Sequence, residues 1–261
     1  MDRISVFLSD WQVLFREGIH FTLSGEDDIE VIGEATSNED ALKAIEANPP
    51  HIAILNANHE KMEGIQAAGY LSRHFPSVAT VIIMDSDNEE QLFLAMQNGA
   101  SACLTKEADP ADLIDTVKAV ARGEQPITDA LIRPEIASRV LDEFEEFDVI
   151  GEQLRNLLAR LTPGETEILH HIANGAPLDQ VYQSLGTNEE SINRAFGIIL
   201  SKLITNNQSR QVIAATQGSL SLAVRSRLAS QSSGEYITRE EFTAFKDSFR
   251  ERLKSVIDET H

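Results

Sequence analysis

Two rhythms of apolar residues alternate along the first 123 positions. Short apolar runs at Ile4–Leu8, Ile29–Ile32, Ile52–Leu55, Val78–Met84 and Ala102–Leu104 predict strands. Between them, Phe15–Leu23, Asn38–Ala47, Gly64–His74, Asn88–Gln97 and Pro110–Ala121 carry apolar side chains at three- and four-residue steps, the spacing of one helix face. Strands this uniformly apolar are buried on both sides, which suits a parallel sheet covered by helices. Five successive strand–helix pairs therefore predict an α/β class, doubly wound, five-stranded parallel sheet over residues 1–123. In such sheets a functional pocket lies at the carboxyl ends of the strands.

The pattern changes after residue 123. Pro134 is placed to start a helix, and Ile136, Val140, Leu141, Phe144 and Phe147 follow at roughly helical spacing. The acidic stretch Asp142–Asp148 and a second stripe at Leu154, Leu157 and Leu158 complete a helical linker over 124–160. Residues 161–215 then predict an all-helical unit. Thr162, Pro163 and Glu165 form a capping box with proline at the first helical position, and Gly175 ends that helix. Leu178–Leu185 is a second helix stopped by Gly186, and Asn188–Leu203 a third, so the pair has a helix-turn-helix signature. Residues 216–261 are an extension. Its capping box at Thr238–Glu241 precedes Phe242, Phe245, Phe249, Leu253 and Val256, a narrow seam of the kind that seeks a partner helix.

Composition narrows the classes. The chain has 261 residues, 42% of them apolar, as a two-domain globular protein requires. It contains no apolar run long enough for a membrane span and no secretory leader, so the expectation is a cytoplasmic protein. A single cysteine, Cys103, excludes an internal disulfide and a multi-cysteine zinc site. The net charge of −20 repels nucleic acid unless basic residues are gathered somewhere. His170 and His171 are helix neighbours that face different directions, and nothing resembles a nucleophile with its base, so an enzyme is not expected and no cofactor is implied.

Asp10, Arg16-Glu17-Gly18, the strand ending at Asn56, Asn98-Gly99-Ala100, Lys106 and Pro110 resemble the receiver domain of NarL/LuxR-type response regulators. Leu161–Leu169, Ala173-Asn174-Gly175 and Ser201-Lys202-Leu203 resemble that family's helix-turn-helix. The likeness spans about residues 4–215 and implies a phosphorylation switch coupled to DNA binding. The residues that would run the switch have changed. The resemblance implies a pair of adjacent acids at Asp10 and Trp11, an acceptor aspartate at Asn56, a Ser/Thr at Asp85, an aromatic at Cys103 and a lysine at Lys106. Only Asp10 and Lys106 fit. An amide has no anionic oxygen to act as nucleophile, and Trp11 offers magnesium no oxygen ligand. Phosphorylation chemistry is therefore expected to be lost, leaving Asp10, Asn56, Asp85 and Lys106 as a polar cluster in which Lys106 pairs with Asp10 and Asp85. The alternative is a small-ligand site above Trp11, whose ring at the pocket mouth can stack on a ligand, though no motif for one exists.

The resemblance also implies a third helix that reads DNA with basic and polar side chains. Here Asn193 stands where a basic residue is usual, and Ala195 where a histidine is. Over 161–215 three basic residues face five acidic ones. Thr187, Asn188, Asn193, Arg194, Lys202 and Asn206 are the candidate contacts to duplex DNA. Ile198 is an extra apolar position on that helix, either a single exposed aliphatic or a partner contact. Two functions compete. One is a phosphorylation-independent, dimeric, DNA-binding transcription regulator. The other is a protein-interaction module that has lost its grip on DNA and binds a partner through Phe242, Phe245, Phe249, Leu253 and Val256.

Overall fold

The computed structural model describes the backbone over residues 3–58, 62–149 and 158–230, with side chains through residue 145 and over 158–212. Five strands, β1 (Ile4–Ser9), β2 (Ile29–Ala35), β3 (Ile52–Asn56), β4 (Ala79–Met84) and β5 (Ala102–Thr105), form one parallel sheet in the order β2-β1-β3-β4-β5. Five helices connect and cover it: α1 (Val13–Ser24), α2 (Asn38–Ala47), α3 (Gly64–His74), α4 (Glu89–Gln97) and α5 (Pro110–Ala121). The doubly wound sheet read from the sequence is what forms.

Strand alternation divides the apolar side chains between two cores. Val6, Leu8, Ile52, Ile54, Val81 and Ile83 pack with Ile19 and Leu23 of α1 and with Leu113, Val117 and Val120 of α5. Phe7, Ala53, Leu55, Ile82 and Met84 point to the other side, toward α2, α3 and α4. Ile52, Ile54, Leu55 and Ile82 are almost fully buried, each contributing roughly 1.5–3 kcal/mol of apolar transfer. Local signals fix the helix starts. Ser37 accepts the amide of Asp40 ahead of α2, and Asn88 that of Gln91 ahead of α4.

The second core does not end at the sheet. It runs through a short 3₁₀ segment, Pro126–Ile132, into α6 (Pro134–Val149) and then into α7 (Pro163–Ala173), α8 (Leu178–Leu185) and α9 (Glu189–Ser230). Val140, Leu141 and Phe144 of α6 belong to the same cluster as Ile168, Leu169, Ile172, Val181, Ile192, Phe196, Ile199 and Leu203. The expected linker is thus part of one compact unit that extends to Val212. Leu158 is buried, whereas Leu154 and Leu157 lie outside the described residues.

One expectation about the helical region needs adjustment. Thr162 and Glu165 close their capping box, and Gly186 caps α8 in the left-handed conformation with φ of 60°, as read. The third helix, however, does not stop at Leu203. Residues 204–212, Ile-Thr-Asn-Asn-Gln-Ser-Arg-Gln-Val, contain no glycine or proline to break it, and α9 continues across the expected boundary at 215 to Ser230. The seam at Phe242–Val256 lies outside the described residues.

Candidate functional site

The carboxyl ends of β1, β3, β4 and β5 bring Asp10, Asn56, Asp85 and Lys106 into one pocket, as the topology requires. Asp10 and Asn56 are buried, at 4% and 1% exposure. Asn56 Nδ2 donates to Asp10 Oδ2 at 2.6 Å, and the Gln12 amide donates to Asp10 Oδ1 at 2.7 Å. The Asn58 amide donates to Asn56 Oδ1 at 2.8 Å. Both carboxylate oxygens of Asp10 and both polar atoms of the Asn56 side chain are therefore committed to protein groups.

Lys106 is held at the other side of the pocket. Its Nζ lies 2.5 Å from Asp85 Oδ1 and donates to Gln12 Oε1 at 3.1 Å. The ammonium also sits 5.9 Å from the Trp11 ring centroid and 5.4 Å from that of Phe15, within cation–π range. Asp85 accepts from Asn58 Nδ2 at 2.7 Å, and Asn58 Oδ1 accepts from Gln91 Nε2 at 2.8 Å. The hydrogen bond from Lys106, seconded by Asn58, holds the Asp85 carboxyl below the usual carboxylate range. The expected ion pair of Lys106 with Asp10 does not form, because the amide of Asn56 has already taken the facing oxygen. Gln12 takes its place as the second partner of Lys106.

A third layer clamps the floor. Asn38 Nδ2 donates to the Asn56 carbonyl at 3.0 Å and to the Met62 carbonyl at 2.9 Å, and Ser9 Oγ donates to Asn38 Oδ1 at 2.8 Å. Gly64 lets the chain pass this close, since a Cβ there would meet the Asn56 carbonyl oxygen at 2.3 Å. Among the described residues no buried side-chain polar atom lacks a partner. Cys103, where the resemblance implies an aromatic, is partly buried, and burial pushes its thiol up to about 12. Trp11 is half exposed at the pocket mouth. Gln12, Asn58, Gln91, Asn38 and Ser9 follow no motif, and sequence reading missed them. Their only signal was a polar side chain at or just beyond a strand or helix end.

The helix-turn-helix candidates divide into two groups. Asn188 caps α9, its Oδ1 accepting the Ser191 amide at 2.9 Å, and Asn193 and Arg194 are exposed on the first turns with Thr187 half-exposed before them. Arg194 makes an ion pair with Glu190 at 3.0 Å. The other two are not on an open face. Lys202 donates to both oxygens of the buried Glu165, at 2.9 and 2.7 Å. Asn206 is fully buried and brackets Ala159, accepting its amide at 2.7 Å and donating to its carbonyl at 2.9 Å. Both side chains join α7, α9 and the segment before α7. Ile198 is 45% exposed on the same outward face as Arg194 and Ser201. Further along, α9 is tied to the sheet-bearing part of the unit. Asn207 donates to the Gln97 carbonyl at 2.9 Å, Arg210 pairs with Glu143, and Arg73 bonds Gln211.

Residues 6–118 match the response regulator receiver domain family. The transcriptional regulatory protein DegU of Brevibacillus brevis is 27% identical over 223 residues, covering 81% of this chain and 92% of the relative. The nitrate/nitrite response regulator protein NarL of Escherichia coli K12 is 28% identical over 200 residues, covering 76% and 88%. Over most of its length the chain is similar to NarL/LuxR-type response regulators. The signal receiver domain of a NarL response regulator from Mycobacterium tuberculosis, 28% identical, covers 48% of this chain and 100% of its own, with a TM-score of 0.46.

The pocket residues do not suit the magnesium ion that the resemblance implies. That ion wants several hard oxygens in an octahedral shell. The pocket presents one carboxylate at this point, and both of its oxygens already accept protein hydrogen bonds. Asn56 turns a donor, not an oxygen, toward Asp10. No group of three His, Cys, Asp or Glu side chains among the described residues is arranged to hold a metal. What the arrangement does chemically is bind itself: the amide of Asn56 supplies to Asp10 the positive pole that a metal supplies in the family.

Proposed function

We propose that this response regulator acts without phosphorylation, as a dimeric, cytoplasmic DNA-binding regulator of transcription. The observation that carries the first half is the bond from Asn56 Nδ2 to Asp10 Oδ2, which fills with an amide the place where acceptor and metal would meet. With Lys106 fixed by Asp85 and Gln12, the receiver is held in one arrangement. A switch needs two arrangements with differential affinity for the signal, and this pocket offers a phosphoryl group nothing to favour. The second half rests on the helix-turn-helix build and on relatives named as transcriptional regulators. In this reading Thr187, Asn188, Asn193 and Arg194 meet the duplex, two copies supply paired half-sites, and the protein has no enzymatic role.

One observation favours a second reading, a protein-interaction module. Arg194 is paired with Glu190, Lys202 is spent on Glu165, and the exposed start of α9 carries Glu189 and Glu190 at the helix end that would otherwise attract phosphate. Each phosphate contact forgone removes about 0.9 from the salt slope of binding. Binding of the full-length protein to a random duplex pool at low and physiological salt separates the readings. Enrichment of a paired half-site, lost in Asn193→Glu with Arg194→Glu, supports DNA binding. Absence of binding at both salts supports the interaction module. Incubation with acetyl phosphate and Mg²⁺ tests the switch, and a stable phosphoprotein refutes its loss.

A further inference from the structure

Among the described residues, α7, α8 and α9 show one large exposed apolar side chain, Ile198, at 45%. Its helix buries Ile192, Phe196, Ile199 and Leu203 on one side. With about 3.6 residues per turn, the opposite side is the line Glu190, Arg194, Gly197, Ile198, Ser201 and Thr205. Glu190 and Arg194 pair with each other at 3.0 Å, so their charges cancel where the line begins. Thr205 turns its hydroxyl back on the helix, donating to the Ser201 carbonyl at 2.8 Å. The middle of this face is therefore small and uncharged. Gly197 is its second oddity. It sits inside a helix, where only proline is a poorer helix former. A Cβ there would meet nothing within 4 Å, so the packing of this chain does not demand a glycine. What Gly197 provides is a dent beside Ile198, into which an outside surface can come close.

One aliphatic side chain beside a dent, with hydroxyls around it, selects its occupant by size. A protein partner needs a patch of apolar neighbours with aromatic anchors, and none flanks Ile198 along this line. The major groove of a duplex offers an aliphatic group one distinctive feature, the 5-methyl group of thymine. The other base-edge features there are hydrogen-bond donors and acceptors. We propose that α9 reads thymine by contact: Gly197 lets the groove floor approach, and Ile198 covers the 5-methyl group. This rests on the DNA-binding reading above and names the base feature that the helix recognises. It also accounts for sequence discrimination by a face whose arginine is paired, because a methyl contact needs no charge.

The test uses the full-length protein and the duplex it enriches from the random pool. Each thymine of that duplex is replaced in turn by deoxyuridine, which keeps its pairing with adenine and lacks only the 5-methyl group. One thymine in each half-site is expected to respond, its replacement weakening binding roughly fourfold, the worth of one buried methyl group. Ile198→Ala should weaken binding to the thymine duplex by a similar factor and bind the two duplexes equally. Neither change removes a charge, so the dependence of binding on salt should stay the same, and a shallower slope would mark a lost phosphate contact and overturn the assignment. Gly197→Ala is expected to raise the melting temperature, because alanine has room there and suits a helix, while weakening duplex binding. Unchanged binding by that variant overturns the close approach. A wild-type chain indifferent to every deoxyuridine, or an Ile198→Ala chain that still prefers thymine, overturns the methyl contact while leaving DNA binding in place. A pool from which nothing is enriched overturns the DNA-binding reading and this inference with it. The deoxyuridine series on the wild-type chain needs no variant to fold, and a circular dichroism melt checks the two that are made.

Discussion

Lys202 is the residue on which family resemblance and structure part most clearly, and Lys202→Met decides between them. Its ammonium reaches both oxygens of Glu165, whose side chain is 7% exposed against 20% for Lys202. Glu165 is also the closing member of the capping box, accepting the Thr162 amide at 2.7 Å. At 2.8 Å and an effective dielectric near 20 the gross attraction is about 6 kcal/mol, most of it offset by desolvation. Removing one partner of a buried pair costs about 3–5 kcal/mol, because the other charge is left behind. Here the Thr162 amide still stabilises the carboxylate and water can reach the edge vacated by Lys202. We therefore expect a loss of about 2–3 kcal/mol in urea unfolding, with the slope against urea unchanged. Glu165→Gln in the same chain should recover most of it, since a neutral amide tolerates the site. If Lys202 instead serves DNA, Lys202→Met leaves stability untouched and lowers the salt slope of duplex binding by about one. That pair of results would refute the structural role.

Three further outcomes follow from the pocket. Asn56→Asp replaces the 2.6 Å bond to Asp10 with a second buried carboxylate, which burial and its like-charged neighbour make hard to ionise. The penalty is absent below about pH 4, where an unfolded aspartate is itself protonated, and grows as pH rises, reaching about 2–4 kcal/mol near pH 7. Urea unfolding at several pH values checks this, and a pH-independent difference would refute it. Asp85 titrates the opposite way: held below the usual range first by Lys106 and then by Asn58, it stabilises above its unfolded value and loses that contribution as pH falls through its folded one. Asp85→Asn should thus narrow the gap in stability between neutral and acid pH, by a modest amount because the carboxylate is half exposed and screened. Cys103, with its thiol pushed up to about 12 by burial, carries almost no thiolate at pH 8. Alkylation by iodoacetamide should be slow in the native protein and fast in urea, and equal rates would contradict the packing.

The sheet was legible because strand and helix periods differ and because buried parallel strands are apolar throughout, as at Ile52–Leu55 and Val81–Met84. Pocket membership was legible through topology, since the residues after β1, β3, β4 and β5 must meet at one edge. The wiring was not. Whether Lys106 turns to Asp10 or to Asp85 depends on which oxygens are already taken, and that was settled by Asn56, Gln12 and Asn58 together. The same limit applies in the helix-turn-helix. Lys202 and Asn206 look like surface residues in a list, but their places on the helix turn them inward, toward Glu165 and Ala159. A helix end is read from its breaker, and between Leu203 and Ser230 Gly218 alone is one, which a long helix tolerates at about 1 kcal/mol.

These substitutions act together on the range of states open to the protein. A phosphorylation switch works because its pocket is poor in internal partners until a metal and a phosphoryl group complete it. Here Asn56, Gln12, Asn58 and Asp85 complete it from within, using Asp10 and Lys106, the two residues that still match the family. The same trend appears where the unit's parts join. One apolar cluster runs from the sheet through α6 into α9, and Asn207, Arg210 and Gln211 pin α9 from the side. In the reading proposed above, a receiver that does not change state gains nothing from a loose joint to its output helices, and a continuous core is what a fixed pair of parts would build. On the proposed reading control has moved from chemistry at Asn56 to whatever sets the chain's concentration, because association responds to mass action even where conformation does not.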